Sequence, residues 1–143
     1  MKILPNFILQ EFVPKSTFKT HKENSVIFLD DRIVHLAQFL RDRYDKPMVI
    51  NTWHTNKNNV YNYRGYRPFN TAIGAKYSQH KFGRAIDFHI PRMEVKEIYE
   101  DIINNQGEMW VHGMRGIENV KETPTWIHVD CRLTELVNEL MIF

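Results

Sequence analysis

Apolar and polar positions recur along this chain with two periods, and the changes of period mark out its elements. Between Asp30 and Tyr44, residues Ile33, Leu36, Ala37, Leu40 and Tyr44 follow one another at helical spacing, with Asp30 or Asp31 placed to cap the first turn. Lys46-Pro47 stops that helix, and Met48 to Trp53 reads as a strand. From Arg84 to Ile90 the period drops to two. Ala85, Asp87 and His89 share one strand face, and Ile86, Phe88 and Ile90 share the other. Met93 to Ile103 returns to the helical period through Val95, Ile98, Tyr99 and Ile102, ahead of a stop at Asn104-Asn105-Gln106-Gly107. Short strands are predicted at Met109 to His112 and Trp126 to Arg132, and a last helix from Thr134 to Phe143. The first 27 residues, broken by Pro5 and Pro14, read as irregular. His54 to Tyr77 reads as one long polar and aromatic loop, a length that in a compact domain commonly serves function. Helices and short strands in this order predict a single α+β domain over residues 1–143, with a small, mostly antiparallel sheet and flanking helices.

Composition narrows the chemistry. An apolar content of 43% is enough for a substantial core, and no apolar run approaches the roughly 20 residues that cross a bilayer. The opening MKILPNFILQEFV is interrupted by Pro5, Asn6, Gln10 and Glu11 and is followed by no small-residue cleavage site. It therefore reads as folded structure and not as an export signal, and synthesis in a cytoplasm is expected. The net charge of +2 is spread along the chain without a basic block or stripe, which speaks against nucleic acid as the partner. Cys131 is the only cysteine, so a thiolate zinc cluster and an intramolecular disulfide are both excluded. Any metal site has to draw on Asp, Glu and the seven histidines.

Two segments carry such a site. In Ser78-Gln79-His80-Lys81-Phe82-Gly83-Arg84-Ala85-Ile86-Asp87, a glycine turn between His80 and Asp87 folds the chain back so that both can aim at one point. In Pro124-Thr125-Trp126-Ile127-His128-Val129-Asp130, alternation puts His128 and Asp130 on one strand face. Two imidazoles and one carboxylate make a three-ligand set, the number that leaves a catalytic zinc ion an open position for water. With neutral histidines the ion keeps a formal charge of about +1, which acidifies water and polarises a carbonyl. Asp87, isolated in an apolar strand, would otherwise be a costly buried charge.

The pattern S-x-H-x-x-G-x-A-x-D followed by W-x-H-x-D resembles the zinc D-Ala-D-Ala carboxypeptidase family, whose fold is shared with hedgehog signalling domains. Ser78, His80, Gly83, Ala85, Asp87, Trp126, His128 and Asp130 match it. Upstream, Asn6 to Phe12 looks like the opening segment of the family's short members, and Gly65-Tyr66-Arg67 with Asn70 and Gly74 looks like its G-Y-R…N…G stretch, while Pro124-Thr125-Trp126-x-His128-x-Asp130 resembles a subset of short, often phage-encoded members. The resemblance implies one zinc ion held by His80, Asp87 and His128. It implies a substrate carboxylate held by Arg67, with Arg64 as the substitute, and Ser78 and Gln79 lining the same cleft. The implied activity is hydrolysis of peptide bonds in bacterial peptidoglycan stem peptides, by a carboxypeptidase or an endopeptidase. With no wall-binding module, this would suit a monomeric, endolysin-like lysis enzyme released to the cell wall, or a virion component.

One departure bears on catalysis. Where many members carry an acidic general base three positions before the second histidine, this chain has Thr125. Glu122, Asp130 and Glu118, in that order, are the substitutes, with a ligand-orienting role as the alternative for Asp130. If none serves, the domain is a catalytically inactive, zinc-stabilised binding or structural module. His89 is expected to be structural, His21, His35 and His54 to be surface or packing residues, and His112 to be either packing or cleft lining. Trp53, Trp110 and Trp126 are expected in the core, and Cys131 is expected to pack as a small apolar residue on the strand face opposite His128.

Overall fold

A computed structural model describes all of residues 1–143. The strands are β1 (Lys2–Leu4), β2 (Phe7–Ile8), β3 (Ala85–Phe88), β4 (Gly116–Ile117), β5 (Ile127–Asp130) and β6 (Met141–Ile142). The helices are α1 (Lys15–His21), α2 (Asp31–Tyr44), α3 (Val95–Asn104) and α4 (Gln106–Val111). β1 and β2 form a small antiparallel pair, and the main sheet has the order β3-β5-β4-β6. Strands β3, β5 and β4 pair antiparallel and only β6 joins in parallel, against β4. This is the expected α+β class.

The helix α2 forms for the reasons legible in its sequence. The Asp30 carboxylate accepts from the Arg32 amide at 3.0 Å, and Ile33, Leu36, Ala37 and Leu40 are buried on one stripe. That stripe packs with Ile86 and Phe88 of β3, Ile98 and Ile102 of α3, and Val129 of β5 into one core cluster. Full burial of such side chains stabilises by roughly 1.5–3 kcal/mol each. Arg43 ties α2 to the next layer through a two-pronged ion pair with Asp101 of α3 at 2.7 and 2.9 Å.

Several expectations need correction. The first 27 residues are ordered: after the β1–β2 pair, Pro14 caps the start of α1, and Lys22–Phe28 forms a 3₁₀ stretch. Met48 to Trp53 makes only a single bridge, Val49 to His89, although Met48 and Ile50 are buried. Met109 to His112 is not a strand, because α4 runs through it. A strand would put Met109 and Val111 on one face, whereas Met109 is wholly buried and Val111 is 71% exposed. The break after α3 is confined to Asn105, and Gly107 lies inside α4 with nothing near its missing side chain. The final helix is absent. Leu133 is 91% exposed, Asn138 is left-handed, and only Leu140 reaches the core before the chain closes as β6. The stretch from Asp45 to Ser78 carries no helix or ladder strand, so the loop expected from His54 to Tyr77 is present and extends back through Met48–Trp53.

Candidate metal centre

The site is built on the register of β3 and β5. Asp87 stands opposite His128, and Ala85 opposite Asp130. Directly opposed residues of an antiparallel pair share a sheet face, so Asp87 and His128 emerge side by side. His80 arrives from a 3₁₀ turn, Gln79–Phe82. Ser78 opens that turn by accepting from the His80 amide at 3.3 Å. Gly83 closes it at φ 66°, where a Cβ would lie 1.9 Å from the Phe28 carbonyl oxygen. The turn thus packs its glycine against the preceding layer and swings His80 over the sheet.

Three atoms converge. His80 Nε2 lies 3.2 Å from Asp87 Oδ1 and 3.2 Å from His128 Nδ1, and His128 Nδ1 lies 2.8 Å from Asp87 Oδ1. A tetrahedral ion with bonds of about 2.0–2.2 Å sets its ligand atoms about 3.3–3.6 Å apart, a little wider than these separations. All three residues are buried, and their donor atoms fit one metal ion. Their outward atoms are also fixed. His80 Nδ1 bonds the Gly65 carbonyl at 2.8 Å, which places its proton there and leaves Nε2 free toward the cluster. His128 Nε2 faces Asp130 Oδ2 at 3.1 Å, and Asp87 Oδ2 accepts from Arg67 Nη2 at 3.0 Å.

Burial and the neighbouring His80, along with bonds from both histidines, act in opposite senses on Asp87, and the histidines win, holding it well below the usual carboxylate range. Burial opposes a charge on His128, but bonds to Asp130 and Asp87 override it and raise its pKa to about 9. Burial wins at His80, whose pKa is lowered. A metal ion here would take His128 through a deprotonated Nδ1, so metal and proton would compete for that nitrogen.

Asp130 is completely buried with both oxygens engaged, one on His128 and both on Arg132. Burial pushes its pKa up and these partners pull it down, to about 2. It has room because Gly116 stands opposite, where a Cβ would fall 2.6 Å from Asp130 Oδ1.

The remaining side of the cluster opens on a cleft of about 560 Å³. Ser78, Gln79, Arg67 and Glu118 line it. Glu118 gets there by register. Ile117 pairs with Val129, and the Glu118 amide bonds the His128 carbonyl at 3.2 Å, so Glu118 stands opposite His128 on the same face. Glu122 is exposed and Thr125 is exposed, and neither lines the cleft. Arg64 stands apart in a second lobe with Tyr61.

Trp126, expected in the core, is half-buried and lines both lobes. Phe143 and Arg132 also line the main cleft, the Arg132 guanidinium 4.0 Å from the Phe143 ring centre. The part of Phe143 was hidden because β6 brings it in from the far end of the sequence, whereas Arg132 follows directly on β5 and is held by Asp130. His112 stacks on Phe39 at 3.7 Å, outside the cleft. His89 contacts Arg64, and Cys131 is fully buried, with burial raising its thiol to about 12. No helix is long and apolar enough to cross a membrane. Comparison of the chain with protein-family models, curated proteins and solved structures finds no match.

Proposed function

We propose that this chain is a zinc-dependent peptidase of the D-Ala-D-Ala carboxypeptidase type, with the hedgehog/DD-peptidase fold, hydrolysing peptide bonds in bacterial peptidoglycan stem peptides. The observation that carries this reading is the buried triangle of His80 Nε2, Asp87 Oδ1 and His128 Nδ1 at the floor of an open cleft. Two nitrogens and one oxygen at these separations suit zinc, and three protein ligands leave a position open. The motif resemblance supplies the substrate class.

When bound, zinc supplies a Lewis acid that acidifies water and polarises the scissile carbonyl. The rest belongs to the protein. Arg67 holds the outer oxygen of Asp87, and the Gly65 carbonyl and Asp130 set the ring orientations of His80 and His128. Glu118, across the ladder from His128, is the carboxylate placed to take a proton from the attacking water and return it to the leaving amine nitrogen. Asp130 serves as a positioning residue, and Glu122 has no part.

Digestion of purified peptidoglycan fragments by the zinc-loaded protein, read by mass spectrometry with and without a chelator, tests the reading. Cleavage that the chelator abolishes is the expected result, and the product masses name the bond. No cleavage by folded protein carrying one zinc ion per chain would shift the assignment to a zinc-stabilised binding module.

A further inference from the structure

The chain leaving β5 turns back on the site. Just past Asp130, the last residue of that strand, the Arg132 amide donates to Asp130 Oδ1 at 3.2 Å, and this local turn brings the Arg132 side chain onto the same carboxylate. Its Nε donates to Oδ1 at 2.8 Å and its Nη2 to Oδ2 at 2.5 Å, a two-pronged pair. Asp130 is wholly buried, and its Oδ2 also faces His128 Nε2 at 3.1 Å, the ring nitrogen not turned toward Asp87 and His80. Arg132 is held in turn by β6. Its guanidinium lies 4.0 Å from the centre of the Phe143 ring, and its Nη1 lies 3.3 Å from Met141 Sδ. Phe143 is tied to the sheet through both backbone groups, donating to the Ile117 carbonyl at 3.2 Å and accepting from the Asn119 amide at 2.6 Å. Its ring meets the His128 ring edge-on, with centres 5.6 Å apart.

An imidazole that binds a metal through one nitrogen is oriented by what its other nitrogen touches. For His128 that partner is Asp130, whose carboxylate makes its remaining polar contacts with Arg132 alone. A carboxylate bonded to one imidazole can still turn about its own axis, and a planar fork on both oxygens removes that freedom. The long Arg132 side chain has rotamer freedom of its own, which the Phe143 ring face and Met141 restrict. We propose that Arg132 is a positioning residue of the metal centre and that β6 is its clasp, so that the last strand sets the orientation of His128, and with it the hold on the metal, without touching the ion. The inference rests on the zinc reading of the site and adds to it residues outside both the ligand set and the motif.

Two measurements on the full chain test this: zinc affinity in competition with a chromophoric chelator, and the visible absorption band of the cobalt(II)-loaded protein. Arg132→Gln should weaken zinc binding about ten- to a hundredfold and alter the cobalt band. Arg132→Lys keeps the charge but lacks the fork, and should recover only part of the loss. Phe143→Leu removes the ring face but keeps an apolar side chain. It should weaken zinc binding about two- to tenfold with circular dichroism and Tm near wild type, and it decides the question if Arg132→Gln does not fold. Because Arg132 acts through Asp130, the double variant Asp130→Asn/Arg132→Gln should bind zinc no more weakly than Asp130→Asn alone. Zinc affinity and a cobalt band unchanged in Arg132→Gln would overturn the proposal, as would a loss that persists in full in the Asp130→Asn background. Affinity unchanged in Phe143→Leu would overturn the part given to β6. A wild type that binds no zinc would overturn the zinc reading and the clasp together. Peptide hydrolysis is scored separately, so the peptidase reading and the clasp can fail independently.

Discussion

At the scale of single residues, the division of labour among carboxylates follows from what each one touches. Asp130 has no free oxygen and no access to solvent, so it can orient but cannot exchange a proton with substrate. Glu122 has access but no cleft, whereas Glu118 has both. Glu118→Gln should therefore keep zinc affinity and lower kcat by about a hundred- to ten-thousand-fold, while Glu122→Gln stays near wild type. Steady-state rates on a peptidoglycan fragment, with zinc content measured in parallel, check the pair, and the reverse ranking would return the role to Glu122. A different carboxylate controls stability. Burial raises the pKa of Glu11 from 4.5 to about 6, against a lowering bond from the Ile8 amide. The native state thus holds its proton more tightly than the unfolded chain. Its contribution is complete below pH 4.5 and is lost as the pH rises through 6. Glu11→Gln should then be more stable than wild type above pH 6 by about 1 kcal/mol, after allowance for solvent screening, with the gap closing below pH 4.5. Urea denaturation at pH 4 and pH 7.5 measures it, and a gap that does not depend on pH would contradict the assignment.

At the scale of elements, the face carrying the site is two rows across three strands. One row is Asp87, His128 and Glu118; the next is Ala85, Asp130 and Gly116. The small residues of the second row make the space that Asp130 fills. Gly116→Ala would drive a methyl group against the Asp130 carboxylate and Arg132 Nε, which would lie 2.6 and 2.7 Å away, and Asp130 is pinned from both ends. It should cost about 1–3 kcal/mol in denaturant titration and weaken zinc binding roughly tenfold or more through His128. A variant unchanged in both would show that Asp130 does not position the ring. The same rows explain what the sequence could disclose. His80 and Asp87 are separated by one turn, and His128 and Asp130 by one strand step, so local patterning offered each pair within its own segment, while joining the two segments into one ligand set rested on the motif resemblance. Glu118 enters through pairing between strands ten residues apart, and β4 is two residues long, too short for any periodic signal. The apolar run at Met109 was read as the strand instead, because the choice between strand and helix there depends on which of Met109 and Val111 the core accepts. The tail failed likewise: its helical spacing is real, but Leu133 and Val137 find no surface to cover.

At the scale of the whole molecule, the question is whether the ion holds the fold or the fold holds the ion. A cluster of 21 buried apolar residues, built mainly from α2, α3 and the back of the sheet, includes none of the three ligands. A core of this extent does not depend on a metal in the way a domain of about 40 residues or fewer does. Nor is Asp87 left without partners when the site is empty, because it keeps its contacts with Arg67 and His128. The ligands are nonetheless contributed by segments far apart in sequence. The loop from His54 to Tyr77 is stitched to them by the Asp87 amide on the Arg64 carbonyl at 2.7 Å and the Arg67 amide on the His80 carbonyl at 3.0 Å. An ion bound only to this native arrangement stabilises it by mass action, about 4 kcal/mol at a thousand times its Kd, or roughly 10 °C in Tm for a chain of this size. Chelation should therefore lower Tm by about that much while leaving the far-ultraviolet spectrum and a single cooperative transition intact. Hydrogen exchange should quicken first at the amides of Arg67 and Asp87, and last at Leu40 in the middle of α2. Loss of the whole spectrum on chelation would mean that the ion, and not the core behind it, holds these strands in register.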